Sequence, residues 1–153
     1  METEIQNYIN VLEDLRDRFK KLVGLMDAKQ LNWVPINQDV NSPHVLTYHI
    51  VSSEEMWIHQ IAGKHNLSRN REAEFLVKRT DPRILIERLN KVAKISNQVI
   101  NTLTLEDLAQ LRREPPWRDE GYKTVRWCIV HVIEHYAEHL GHLNLTNQLY
   151  QIK

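Results

Sequence analysis

Turn-forming residues are scarce in this 153-residue chain, with four Gly and five Pro. Sheet-rich folds need a turn roughly every 8–12 residues, so this scarcity argues against one. The single cysteine excludes an internal disulfide and any cysteine-built zinc or iron–sulfur cluster. Net charge is also lacking, because twenty Lys and Arg balance twenty Asp and Glu. A dedicated nucleic-acid binder or a polybasic membrane anchor would show a basic excess. No apolar run approaches the roughly 18 residues that span a bilayer. The opening METEIQNYIN is acidic and polar, without the basic-then-apolar order of a secretory signal. The expected compartment is therefore the cytoplasm.

What is present reads as one domain over residues 1–153, long enough to bury a core without staples. Ile5, Ile9, Leu12, Leu15, Phe19, Leu22 and Val23 recur at spacings of mostly three and four, the signature of an amphipathic helix. A polar segment over 27–41 holds Trp33 and Pro35. A second helix starts at a Ser42 cap with Pro43 in the first turn, where a missing N–H costs nothing. Its buried side carries Leu46, Ile50, Trp57 and Ile61, and Gly63 is its stop. Residues 64–80 are polar, with a short turn expected at 72–77. A third helix starts in the same way at Asp81 and Pro82, with Ile84, Leu85, Leu89, Val92, Ile95, Val99 and Ile100 as its buried face. Residues 101–123 read as irregular around Pro115, Pro116, Trp117 and Gly121, with a short helical piece at 105–111. The last helix runs from a Thr124 cap to about residue 149. The fold class expected is all-α: a four-helix bundle with long connections, each able to carry a crossover.

Histidine is the one residue type in excess. Four of the eight, His131, His135, His139 and His142, fall in a window of 12 residues, where an even spread would put fewer than one. Residues four apart lie about 40° apart on a helical face, so two such imidazoles can grip one metal ion. Both His131/His135 and His135/His139 have that spacing. With Cys128 at 0°, the apolar stripe of Val125, Ile129, Val132, Tyr136 and Leu143 spans about 40° to 100°. His139 falls near 20° and His135 near −20°, with His142 and His131 further out at about −40° and −60°. His135/His139 therefore borders the core most closely and is the preferred ligand pair.

A third ligand is available in SPHVLTYHIVSSEEMW. His49 shares a side with Leu46, Ser53 and Met56, whereas His44 points nearly opposite, towards solvent. His59 lies off the apolar side and His65 in a loop. Two histidines from the last helix and one from the second would leave an open coordination position, the mark of a catalytic site. Against this stands the plainer reading of each residue. A histidine bordering a core is usually a hydrogen-bonded structural residue, Glu134 and Glu138 are solvated charges, and Trp33, Trp57 and Trp127 are packing. His131, Glu134 and His135 also spell H-x-x-E-H, the inverted zinc-peptidase pattern. Only 18 residues follow His135, too few for a downstream ligand and a peptide cleft.

The stretch VRWCIVHVIEHYAEHLGHLNL resembles the last helix of the DinB-like superfamily, the DNA-damage-inducible group of metal-dependent hydrolases and thiol transferases. The family pattern there is H/E-x-x-x-H followed by a small residue and Gly, which His135, His139 and Gly141 match in order. HVIEHYAEHLGH is similar to the mycothiol-dependent maleylpyruvate isomerase relatives, although that branch can carry Glu where this chain has His135. HIVSSEEMWI resembles the family's second helix, with His49 on its histidine. The segment around Trp33 and Pro35 and the long third connection extend the likeness over nearly the whole chain. The resemblance implies a divalent ion, zinc or nickel, held by His49, His135 and His139. Relatives such as the bacillithiol S-transferases use low-molecular-weight thiols. The family name does not imply action on DNA.

The lead expectation is a metal-dependent thiol S-transferase acting on a small electrophilic substrate. A metal-dependent hydrolase and a non-enzymatic metal-binding stress or interaction protein are the alternatives. Cys128, in the core stripe, reads as a buried apolar residue, so the thiol co-substrate comes from outside. His131 and His142 are candidates for partners of the ligands or for proton shuttles. The expected partners are a small-molecule substrate and a thiol, with no nucleic acid and no membrane, and by analogy a second copy in a homodimer.

Overall fold

The computed structural model describes residues 3–36, 40–67, 81–115 and 121–153. Four long helical elements carry the chain. Helix α1 spans Glu4–Gly24, and the short α2 spans Ala28–Leu31. Helix α3, Pro43–Glu54, continues directly into a π-helical segment, Glu55–Ala62. Helix α4 spans Pro82–Asn101, the short α5 Leu105–Ala109, and α6 Val125–Gln151. Strands β1 (Leu111–Arg113) and β2 (Tyr122–Thr124) pair antiparallel, Leu111 opposite Thr124.

The helix starts follow from capping chemistry read in the sequence. Ser42 Oγ accepts the Val45 N–H at 3.3 Å, an Asp81 oxygen the Arg83 N–H at 2.9 Å, and Thr124 Oγ1 the Trp127 N–H at 3.1 Å. Pro43 and Pro82 sit in the first turns as expected. Val125, Ile129, Val132, Tyr136 and Leu143 are all fully buried, so the stripe assigned to the last helix is the one that faces the core. Facing it are Leu12 and Phe19 of α1, with Ile50 and Trp57 of the second helical element.

Packing sets an unusual order around the bundle. Helices α4 and α6 both lie against α1, and both also lie against α3 with its π continuation. Thus α1 and α3, consecutive long helices, face each other across the diagonal, as do α4 and α6. The first and third connections are crossovers, which their lengths allow. Among the described residues, no helix is long and apolar enough to cross a membrane.

Several local expectations need correction. Ile84 is 42% exposed, and Leu85 and Leu89 carry that part of α4. The segment 27–41 includes helix α2, capped by Asp27 on the Gln30 N–H at 2.8 Å. The short helical piece expected at 105–111 is present as α5, closed by a Thr104–Asp107 capping box, whereas the β1–β2 ribbon stands where irregular chain was expected. The turn expected at 72–77, along with Pro116 and Trp117, lies outside the described residues.

The second helix departs most from the simple wheel. His44, expected to be solvated, is fully buried. Most of α3 is buried, so an apolar-versus-polar wheel does not mark its solvent side. Arg88 of α4 covers the side bearing Tyr48, 4.4 Å from its ring centre, and His44 stacks on Tyr48. After Glu54 each π turn takes in an extra residue and rotates the residues beyond it about the helix axis. His59 is thereby carried into the core, where its Nε2 lies 3.2 Å from the Val92 carbonyl oxygen and 2.9 Å from Ser96 Oγ. Close packing requires glycine at 63, where the element ends: a Cβ there would sit 2.9 Å from the His59 carbonyl oxygen and 3.0 Å from Val99 Cγ1.

Candidate metal centre

His49 lies on α3, one turn before the π segment. His135 and His139 lie one turn apart on α6. Because α3 and α6 are neighbours, the three rings meet: one ring nitrogen from each lies within 4.8 Å of the other two. The His49 ring stands edge-on to both partners, with ring centres 5.1 Å from His135 and 5.5 Å from His139. The Nε2 atoms of His135 and His139 approach to 2.8 Å. All three side chains are partly buried.

The outer nitrogens of the α6 pair have partners too. His135 Nδ1 is 3.1 Å from Ser53 Oγ, and His139 Nδ1 is 3.2 Å from His142 Nδ1. Burial, with His49 and His142 alongside, pushes the His139 pKa down to about 4. A neutral imidazole with its lone pair free is the form that ligates a cation.

The remaining histidines fall elsewhere. His131 does not join the trio. It stacks between Trp127, with ring centres 4.7 Å apart, and His135, at 5.6 Å, with the edge of Trp57 beside it. Glu134 is exposed and 3.6 Å from His131 Nδ1, and among the described residues the ligand-type side chains that come together are His49, His135 and His139, not the H-x-x-E-H set. His142 is exposed but touches His139. Cys128 is buried, and burial pushes its thiol pKa up to about 12. An added Cβ at Gly141 would meet nothing within 4 Å, so no close approach requires glycine there.

Beside the trio a cavity of about 360 Å³ opens between α6 and the segment before α3. His139 and His142 form one end, and Leu46, Leu145 and Leu149 form much of the wall.

Beneath the site lies a group that the sequence reading missed. The Glu54 carboxylate, fully buried, pairs with the Arg16 guanidinium and accepts the Tyr136 hydroxyl at 2.7 Å. Arg16 Nη1 also donates to Asn97 Oδ1 at 2.9 Å. The available signal was indirect: Ser53 and Glu54 follow His49 in a stretch otherwise apolar enough to be core.

The sequence pattern of the DinB superfamily matches residues 12–143. Three solved structures share the fold. YfiT from Bacillus subtilis, described as a probable metal-dependent hydrolase with an unusual four-helix bundle topology, is 16% identical, with a TM-score of 0.78 over 97% of this chain and 89% of its own. A conserved protein of Enterococcus faecalis is 15% identical, with a TM-score of 0.76 and full coverage of both chains. A DinB-like protein from Bacillus cereus is 13% identical, with a TM-score of 0.75 over 95% of this chain and 92% of its own. No curated protein matches the sequence.

Proposed function

The chain belongs to the DinB superfamily, and from that premise we propose that His49, His135 and His139 hold one divalent cation, zinc or nickel, in a metal-dependent thiol S-transferase acting on a small electrophile. The observation that carries this is the convergence of three imidazoles from two helices within 4.8 Å, beside a cavity of molecular size. The donor set fits such an ion: all three ligands are neutral when deprotonated, and His139 is held in that form by its surroundings. Three protein ligands leave room for a reactant. A bound divalent cation would supply Lewis acidity, lowering the pKa of a thiol or water that reaches it.

The chain's own residues do the rest. Ser53 Oγ lies 3.1 Å from His135 Nδ1, and with the proton on that nitrogen Nε2 keeps its lone pair for the centre. His142 does the equivalent for the outer nitrogen of His139. Cys128 supplies no nucleophile, being buried and protonated at neutral pH, so the thiol arrives from solution.

Calorimetric titration of zinc or nickel into the wild type and into His49→Ala, His135→Ala and His139→Ala tests the centre. Each substitution should weaken binding by more than about tenfold, and equal affinity in all four proteins rules the centre out. Metal-dependent hydrolysis is the second reading, favoured by the description of the B. subtilis neighbour. Turnover of an activated ester or amide by the metal-loaded protein in the absence of any thiol would decide for it.

A further inference from the structure

We infer that His131 is a positioning residue of the proposed centre: its ring, stacked between Trp127 and His135, sets the plane of the His135 imidazole. The inference rests on the metal centre for its consequence, but the stack itself is a feature of the chain alone.

The row of rings follows from the sequence of α6. Trp127, His131 and His135 are spaced by four, so each side chain lies about 40° around the helix from the last and one turn further along. Long side chains lean towards the helix N-terminus, which lays each ring over the one before it. The Trp127 and His131 rings have centres 4.7 Å apart and lie 12° from parallel; those of His131 and His135 are 5.6 Å apart and 13° from parallel. The parallel order ends there, because the next ring, His139, is tilted 53° to His135. Trp57, fixed in the core, sets its edge against both Trp127 and His131, with centres 5.1 and 5.2 Å away. Lys123 Nζ lies 4.9 Å from the Trp127 ring centre at the start of the row.

A histidine ring turns easily about its outer torsion, whose energy wells are broad. The 3.1 Å contact between Ser53 Oγ and His135 Nδ1 fixes one corner of the His135 ring. A flat ring packed against it fixes the plane as well. An imidazole already held in its working orientation gives up less freedom when a ligand arrives, and affinity gains accordingly. His139 stands differently, since its neighbour towards the C-terminus is the exposed His142. Of the two histidines proposed as ligands on α6, His135 is thus the one set in advance, and His131 connects it to the core at Trp57. The plainer reading, that His131 only fills space, ascribes its contribution to bulk and not to a flat face.

Two substitutions separate a flat face from bulk. His131→Leu keeps apolar bulk without a ring, and His131→Phe keeps a ring without nitrogens. Zinc affinity of the full chain is measured for both and for the wild type by competition with a chromophoric chelator. In parallel, NMR carbon relaxation of the His135 ring, assigned by its loss in His135→Ala, reports ring mobility in the metal-free chain. His131→Leu should weaken zinc binding about tenfold and loosen the His135 ring. His131→Phe should stay within about threefold of the wild type, with the ring as rigid. Wild-type affinity in His131→Leu, or equal losses in the two variants, overturns the inference, and so does a His135 ring equally rigid in all three proteins. Failure of the wild type to bind zinc would overturn the metal centre instead, and ring mobility then decides the role of His131 by itself.

Discussion

The Tyr136 hydroxyl donates to Glu54 Oε2 at 2.7 Å, one residue along both helices from the contact between His135 and Ser53 at 3.1 Å. Helices α3 and α6 are thus tied twice in succession, once in the core and once at the histidine trio. The inner tie reaches every long helix: Arg16 comes from α1, Glu54 from α3, Asn97 from α4 and Tyr136 from α6. Neither Arg16 nor Glu54 is more than 1% exposed, so each charge depends on the other for compensation.

Removing one partner should therefore cost far more than a surface ion pair. Arg16→Met leaves a buried carboxylate without its cation and should lower folding stability by about 3–5 kcal/mol. Tyr136→Phe deletes one hydrogen bond to a charged acceptor and should cost about 1–3 kcal/mol. Urea unfolding of the metal-free proteins measures both. An Arg16→Met loss below about 1 kcal/mol would mean that the pair contributes no more than an exposed one.

In the proposed centre the outer tie would act on the metal rather than the fold. Ser53→Ala removes the hydroxyl beside His135 Nδ1, and losses of such partners of a ligand typically weaken metal binding about 10–100-fold. The metal-free stability should fall by only about 0.5–1.5 kcal/mol. Zinc affinity and urea midpoint are measured on the same protein. A variant that loses stability but keeps wild-type affinity would assign Ser53 to packing alone.

The parts of this molecule that were legible in the sequence are those set locally. Caps at Ser42, Asp81 and Thr124 act within three residues, and the α6 stripe repeats every three or four, so both show in a linear reading. Faces could be assigned where a helix has a wet side. They could not for α3, which is buried on most sides, nor beyond Glu54, where the π turns shift the phase and bring His59 inward. The β1–β2 ribbon has three residues per strand and little apolar alternation, so nothing in LRR or YKT announces it. Arg16 and Glu54 are 38 positions apart, so nothing local links the two charges. The gathering of His49 with His135 and His139 depends on α3 and α6 being neighbours, which periodicity suggests but only packing provides.

The lone cysteine gives a chemical test of where the thiol comes from. With its pKa pushed up to about 12 by burial, Cys128 is a protonated thiol at neutral pH and is out of reach of reagents. Iodoacetamide should leave it unmodified in the native protein and alkylate it after unfolding in urea. Cys128→Ala should retain full metal affinity and turnover, at a stability loss of about 1–2 kcal/mol for the lost sulfur contacts. Rapid alkylation of the native protein would show that the thiol is accessible and return it to consideration as the nucleophile.

Two imidazoles, buried His59 and partly buried His139, contribute to the response of the metal-free protein to acid. Burial, with His49 and His142 nearby, lowers His139 from the usual 6.5 to about 4, and burial likewise lowers His59 against the opposing charges of Glu54 and Glu55. For both, the unfolded chain takes up its proton at a higher pH than the folded chain. The unfolded state therefore binds more protons just below pH 6.5, and stability rises with pH in that range. Their contribution is complete above about 6.5, shrinks as the pH falls, and for His139 stops changing below about 4. Urea unfolding of the metal-free protein between those limits should show this slope, and His139→Ala should flatten it relative to the wild type. Bound metal should steepen the acid loss, because protons and cation compete for the same nitrogen. A wild type and His139→Ala variant with the same pH slope would show that His139 titrates like an exposed imidazole, and the burial argument for its neutral form would fail.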